Sequence, residues 1–354
     1  MIGIDKIILS NVQIESIDWE KFDKHPATSR KLFEKEEATR LISGIAFSRL
    51  STGTKAQSVN LEVKMAPDKN TGSCISTERL SINPVTLLHG SNVDNISDVK
   101  ELQAAINETI KKLSCDYGIT VNLDQASISE MEVNINIPLK HPFDKYDKVF
   151  HFLVKALPRC YKKIASYKED WQSTGFSAGN TQILLKFYDK LREARIVIDA
   201  PSNLLRIEYR YKCAEKIQRS LNHNSLSKLL NDFDAVKNAF VAKINKDIVE
   251  AVPKQINKLK KQHTSDLVSA MNEQPKKYID HWLAITENIF DYELLCETLI
   301  SVLQKEGRKE RNNRARVSQL KETVEKRQHE EKFFGQLDML NELLSKIEII
   351  CGKR

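Results

Sequence analysis

The chain has 354 residues, 41% hydrophobic and 29% charged, with 55 Lys and Arg against 48 Asp and Glu, a formal charge of +7 and a pI near 8.9. That length holds two domains with real cores, and that charge suits a nucleic-acid partner without being a polycationic tail. No stretch approaches the ~20 uninterrupted apolar residues of a membrane span. The six cysteines contain no C-x-x-C pair, and the eight histidines form no H-x-H or H-E-x-x-H. No Gly-rich phosphate loop is present either, so disulfide scaffolds, zinc sites and P-loop enzymes lose their usual support and reduced thiols in a cytoplasm are expected.

In chain order, "MIGIDKIILSNVQIESIDWEKF" begins with a strand (4–9) and carries no export-signal pattern. Further strands are expected at 58–65, 74–82, 131–137, 182–189 and 204–211. Between the third and fourth, "SDVKELQAAINETIKKL" (97–113) predicts a helix capped by Ser97 or Asp98, with Val99, Leu102, Ile106, Ile110 and Leu113 on one stripe. A second helix is expected at 144–157, ended by Pro158. Strands interleaved with amphipathic helices predict an α+β fold, a largely antiparallel sheet with helices packed on one face. After Tyr211 the pattern is helical, with joints expected near Pro253, Pro275 and Gly307. The expected division is therefore 1–215, a mixed domain, and 216–354, an all-helical region. "CAEKIQRSLNHNSLSKLLNDF" (213–233) reads as two packed helices, or less well as a helix-turn-helix.

Three strands have one apolar and one polar face, as period-two geometry requires when one side is buried. Met131, Val133, Ile135 and Ile137 oppose Glu132, Asn134 and Asn136; Ile183, Leu185 and Phe187 oppose Leu184, Lys186 and Tyr188; Leu205, Ile207, Tyr209 and Tyr211 oppose Arg206, Glu208 and Arg210. Two readings fit the polar face: an ordinary solvated surface with cross-strand ion pairs, or a site. A phenol is a poor nucleophile at neutral pH unless a cation stabilises its phenolate. Lys186, Lys190, Arg206 and Arg210 could supply that charge, and Glu132, Glu208 and the Asn oxygens could hold Mg²⁺ or Mn²⁺. These are the parts a phosphodiester transesterification needs.

"SINPVTLLHGSN" (81–92), the Gly-rich turn and strand "GFSAGNTQILLKFYDKLREAR" (175–195) and "LLRIEYRYK" (204–212) together resemble, in order and spacing, the replication initiators related to the gene II/X proteins of filamentous phages. The resemblance implies a rolling-circle initiator acting in the cytoplasm of a bacterial host: it binds origin DNA, nicks one strand, stays joined to the 5′ phosphate through a tyrosine, and reseals. It makes Tyr188 the nucleophile, Lys190 a phosphate or phenolate partner and Glu208 a metal ligand; on the same polar face Lys186 is a further candidate catalytic cation, and Glu132 and Asn134 are further candidate metal ligands. The family's Asp-x-Asn strand corresponds to "EVNIN", where Asn134 stands in place of the Asp. Asn83, His89 and Asn92 read as turn formers and His141 as loop, while Asp189 and Glu193 fit metal binding and helix-start capping equally. Host helicase and polymerase are the partners such an initiator would meet, and no membrane is implied.

"KEGRKERNNRARVSQLKETVEKR" (305–327) is basic, and Arg308, Lys309, Arg311, Arg314 and Arg316 join Arg206 and Arg210 as expected DNA contacts, a solvated helix being the alternative. The apolar sequence after it serves internal packing or a homodimer seam. Two further readings of the chain remain at this level: a non-catalytic DNA-binding or assembly protein on the same fold, and a relaxase of a mobile element.

Overall fold

The computed structural model describes the chain except residues 32–40, 43–44, 47–48, 54–57, 68–73, 92, 170–171, 195–202, 287–290, 308–309, 328–335 and 353–354. The described strands are β1 (Ile2–Ser10), β2 (Gln13–Ile17), β3 (Thr28–Lys31), β4 (Leu41–Ile42), β5 (Ile45–Ala46), β6 (Arg49–Thr52), β7 (Val59–Pro67), β8 (Cys74–Ile82), β9 (Ile119–Asn122), β10 (Ser127–Pro138), β11 (Lys163–Glu169), β12 (Gln172–Gly179), β13 (Ile183–Asp189) and β14 (Leu204–Tyr211). Ten of them form one sheet in the order β11-β12-β13-β14-β10-β1-β8-β7-β6-β3, while β2 pairs β9 and β4 pairs β5. The pairings described are antiparallel, and the architecture is α+β with an all-helical C-terminal region, as the sequence predicts.

The alternating pattern is what places the sheet. Met131, Val133, Ile135 and Ile137 of β10, Ile183, Leu185 and Phe187 of β13, and Leu205, Ile207, Tyr209 and Tyr211 of β14 are all buried. Fully burying such a side chain contributes about 1.5–3 kcal/mol. Helix Ala214–Leu221 lies against β10 and β14, and Phe240 of helix Phe233–Ile244 meets the Tyr209 ring edge-on at 5.5 Å. Helix Val99–Tyr117 starts where Asp98 accepts from the Glu101 amide at 2.9 Å and ends at Gly118, whose φ of 68° suits a residue without Cβ.

One local expectation changes and two are met. The glycine-rich stretch before β13 is strand β12, and the turn is Asn180–Gln182, where the Asn180 side chain accepts from the Gln182 and Ile183 amides. The helix joint expected near Pro253 falls at Glu250, between the π-helical turn Asn245–Val249 and helix Ala251–Glu273, and Pro253 itself stands in the first turn of the latter, where a missing N–H removes no helical bond. Helices Ala214–Leu221 and Leu226–Asn231 are the two packed helices expected, and backbone bonds from Ile128 N to Asn224 O and from Leu226 N to Ala126 O tie the chain between and beside them to the start of β10.

The chain forms two compact units interleaved along the sequence. One comprises Met1–Pro138, Lys162–Ser166 and Gly175–Ala242; the other comprises Leu139–Tyr161, Tyr167–Thr174 and Lys243–Arg354. The core of the second gathers Leu267, Trp282, Leu295, Leu299, Leu303, Leu320 and Val324, among others, and Trp282 donates its indole N–H to the His263 carbonyl at 3.1 Å. No described helix is long and apolar enough to cross a membrane.

Candidate active site

The polar face of the sheet's centre is built in transverse rows. Register sets Lys186, Glu208, Asn134 and Gly3 side by side across β13, β14, β10 and β1. The flanking rows hold Tyr188, Arg206 and Asn136 on one side, and Leu184, Arg210, Glu132 and Lys6 on the other. The structure thus brings together Tyr188, Lys186, Glu208, Glu132 and Asn134, the residues the sequence placed on one surface.

It also adds one residue the sequence reading missed. Between Ile4 and Lys6 the β1–β10 register shifts by one residue, and this bulge brings Asp5 beside Glu132. Ligand oxygens of Asp5, Glu132 and Glu208 lie within 4.8 Å of one another. The sequence of β1 gives no clear sign of this bulge, because apolar residues at 2 and 4 are followed by three in a row, Ile7, Ile8 and Leu9. Asp5 adds a third carboxylate to the face on which Asn134 carries none.

Each carboxylate has a cation beside it. Arg206 Nη1 stands 3.5 Å from Asp5, Arg210 Nε 3.5 Å from Glu132, and Lys186 Nζ 2.5 Å from Glu208 Oε1. Tyr188 donates its hydroxyl to Glu208 Oε2 at 2.8 Å. Burial pushes the Asp5 carboxyl above its ordinary range, and burial with the neighbouring Glu208 charge pushes Glu132 up to about 7. Burial also works to raise Glu208, but the Lys186 charge and the hydrogen bonds from Lys186 and Tyr188 hold it below the usual carboxylate range. The Tyr188 phenol is pushed well up by burial and by the Glu208 charge, so at neutral pH it is protonated.

Asn134 is fully buried, and neither its Oδ1 nor its Nδ2 has a hydrogen-bond partner among the described residues. An unpartnered amide in the same row as Glu208, beside three clustered carboxylates, is a donor set of hard oxygens, which fits Mg²⁺ or Mn²⁺. Gly3, next in that row, has no room for a side chain: a Cβ would lie 2.5 Å from Asn95 Cβ. Behind the tyrosine, Gly175 faces Tyr188 across β12–β13, where a Cβ would lie 2.7 Å from Tyr188 Cβ and 2.4 Å from the Phe187 carbonyl.

Lys190 is fully buried, with its ammonium 2.7 Å from Glu193 and 5.7 Å from the centre of the Tyr188 ring; burial and the Arg206 charge lower its pKa. Asp189 caps the short helix Lys190–Glu193 by accepting from the Arg192 amide, in keeping with its expected capping role. Tyr209 and Tyr211 face the core.

Two expected DNA contacts are engaged otherwise. Arg206 is fully buried and donates to the Val93 carbonyl and Asn136 Oδ1, each at 2.7 Å, to Asn95 Oδ1 at 3.0 Å and to the Asp94 carbonyl at 3.2 Å. It clamps the 93–96 loop over the sheet. Arg210 is half-buried and donates to Glu130 at 2.7 Å. In the basic helix Glu310–Arg327, Arg311 and Arg314 are exposed, but Arg316 is half-buried, donating to Gln319 at 2.7 Å and lying 5.4 Å from the centre of the Tyr278 ring. Arg308 and Lys309 lie outside the described residues, as does Asn92. His89 ends the helix Pro84–His89, which Gly90, in the left-handed conformation, closes by donating its N–H to the Thr86 carbonyl, so where turns were expected this motif is a short helix leading to the clamped loop.

No family model and no curated protein matches the chain. Among solved structures, a rolling circle replication initiator protein from Geobacillus stearothermophilus is similar at 13% identity over 70% of this chain and 85% of that one. The TM-score is 0.33, a likeness too distant to carry an argument about chemistry.

Proposed function

We propose that this chain is a rolling-circle replication initiator, a tyrosine-dependent enzyme that nicks and rejoins one strand of origin DNA with Mg²⁺ or Mn²⁺ bound. The observation that carries the reading is the meeting of a half-buried phenol, its hydroxyl 2.8 Å from Glu208, with a three-carboxylate cluster on one sheet face. The sequence resemblance to gene II/X-type initiators supports it. Asp5, Glu132 and Glu208, with the Asn134 amide, would hold the ion. When bound, the ion would polarise the scissile phosphate and offset the charge that develops on it.

Tyr188 Oη forms a bond to phosphorus as the bond to the 3′ oxygen breaks. The phenol's proton leaves through solvent and the departing oxygen gains one, so the exchange is proton-neutral and yields a 5′-phosphotyrosine and a 3′-OH. One phosphodiester replaces another of similar energy, which lets the strand be resealed without ATP. The Arg206 charge favours negative charge at the tyrosine oxygen, and Lys190, held beside the phenol ring by Glu193, would be the partner of the phosphate. Arg206 keeps the 93–96 loop and Asn136 in place next to the nucleophile.

The test is incubation of the purified protein with supercoiled plasmid carrying the origin of its own replicon, with Mg²⁺ or Mn²⁺. Conversion to open circle with a protein–DNA adduct that resists denaturant is expected. DNA binding without nicking would leave a non-catalytic binding protein on this fold.

A further inference from the structure

Both oxygens of Glu208 are occupied by the chain itself. Oε1 accepts from Lys186 Nζ at 2.5 Å and Oε2 from Tyr188 Oη at 2.8 Å. An ion held with Asp5 and Glu132 would need one or both of those oxygens. The three cations beside the cluster differ in how they are held. Arg206 is anchored by four other hydrogen bonds, and Arg210 by Glu130. Lys186 Nζ has no hydrogen-bond partner other than Glu208 among the described residues. Its side chain is 23% exposed, so a way out to solvent exists, whereas that of Glu208 is 2% exposed. Lysine suits such a role, being a compact charge on a flexible stem, where an arginine fork would be pinned.

We propose that Lys186 is a built-in stand-in cation, a positioning residue that neutralises Glu208 while no divalent ion is bound and withdraws when one enters. The same exchange frees the Tyr188 hydroxyl from Glu208, so the nucleophile is released only when the ion is in place. This rests on the reading of the acidic cluster as a metal site. It reverses the ordinary expectation for a buried ion pair: Lys186 opposes metal binding, and its loss strengthens it.

The experiment is titration of the full chain with Mn²⁺ by calorimetry, with thermal unfolding of the metal-free protein alongside. Lys186→Met is expected to bind Mn²⁺ at least roughly tenfold more tightly than wild type, because a competing charge is gone from the site. Its metal-free form unfolds at lower temperature and recovers on adding Mn²⁺, since Glu208 is otherwise left bare. Tyr188→Phe, which frees Oε2 alone, is expected to tighten binding by a smaller factor and covers the case in which Lys186→Met fails to fold. Mn²⁺ binding by wild type with unchanged or weaker binding by the variants would overturn the stand-in role and leave the metal site standing. No Mn²⁺ binding by any of the three would overturn both.

Discussion

Replacing Glu132 by Gln is expected to stabilise the metal-free protein at alkaline pH while removing its response to metal. The Glu132 carboxyl sits at about 7 in the folded chain against 4.5 for an ordinary glutamate, so between those values the folded state binds the proton more tightly. Stability from this group is therefore full at low pH and falls as pH rises through about 7. A gap of about 2.5 in pKa corresponds to ~3 kcal/mol by pH 8. The Arg210 contact at 3.5 Å is lost in the variant, but Arg210 keeps Glu130, so a net gain of ~2 kcal/mol is a fair expectation. For a unit of roughly 200 residues that raises the midpoint by ~4–8 °C at pH 8, and by much less at pH 5. The assay is thermal or urea unfolding in EDTA at both pH values, repeated with Mn²⁺. Equal or lower stability of Glu132→Gln at pH 8, or the same gain at pH 5, would refute the claim that a buried, crowded carboxylate is held there at a loss to the fold.

Other consequences follow from the same geometry. Arg206→Met, which leaves Asp5 without its neighbour and the 93–96 loop without its clamp, is expected to lose ~3–5 kcal/mol, read by urea unfolding; a stable variant with merely weaker DNA binding would contradict the clamp. Gly175→Ala forces a methyl against Tyr188 and the Phe187 carbonyl, and adduct formation on single-stranded origin DNA is expected to fall ~100-fold or more, as small misplacements at a reacting group do. Arg311→Ala and Arg314→Ala, on the exposed side of the basic helix, are expected to reduce the salt slope of DNA binding by ~1 each if that face lies along phosphates.

The sheet was legible because its strands obey a period of two. Six expected strands are present, and in β10, β13 and β14 the apolar face is buried as the alternation predicts, which puts Tyr188, Lys186, Glu208, Glu132 and Asn134 on one surface. Three features were not legible, each for a physical reason. The bulge at Asp5 breaks the alternation that the reading relied upon, and Asp5 then looks like a strand-edge residue. β12, "QSTGFSAG", is built of small residues with weak strand preference; it is held by pairing with β13 and by the need for a glycine behind Tyr188. Arg206 has the register of a ligand-facing cation, but a loop more than a hundred residues earlier covers it, a tertiary contact that local pattern cannot reveal.

In the proposed function the deciding step is attack of the Tyr188 hydroxyl on the DNA phosphate. Its most direct test is to form the denaturant-stable adduct on a short single-stranded origin oligonucleotide with Mn²⁺, digest it, and identify the modified peptide by mass spectrometry. The nucleotide is expected on Tyr188, within the peptide derived from β13, and Tyr188→Phe is expected to give no adduct. A nucleotide on any other residue, or an adduct of undiminished yield from Tyr188→Phe, would contradict the account.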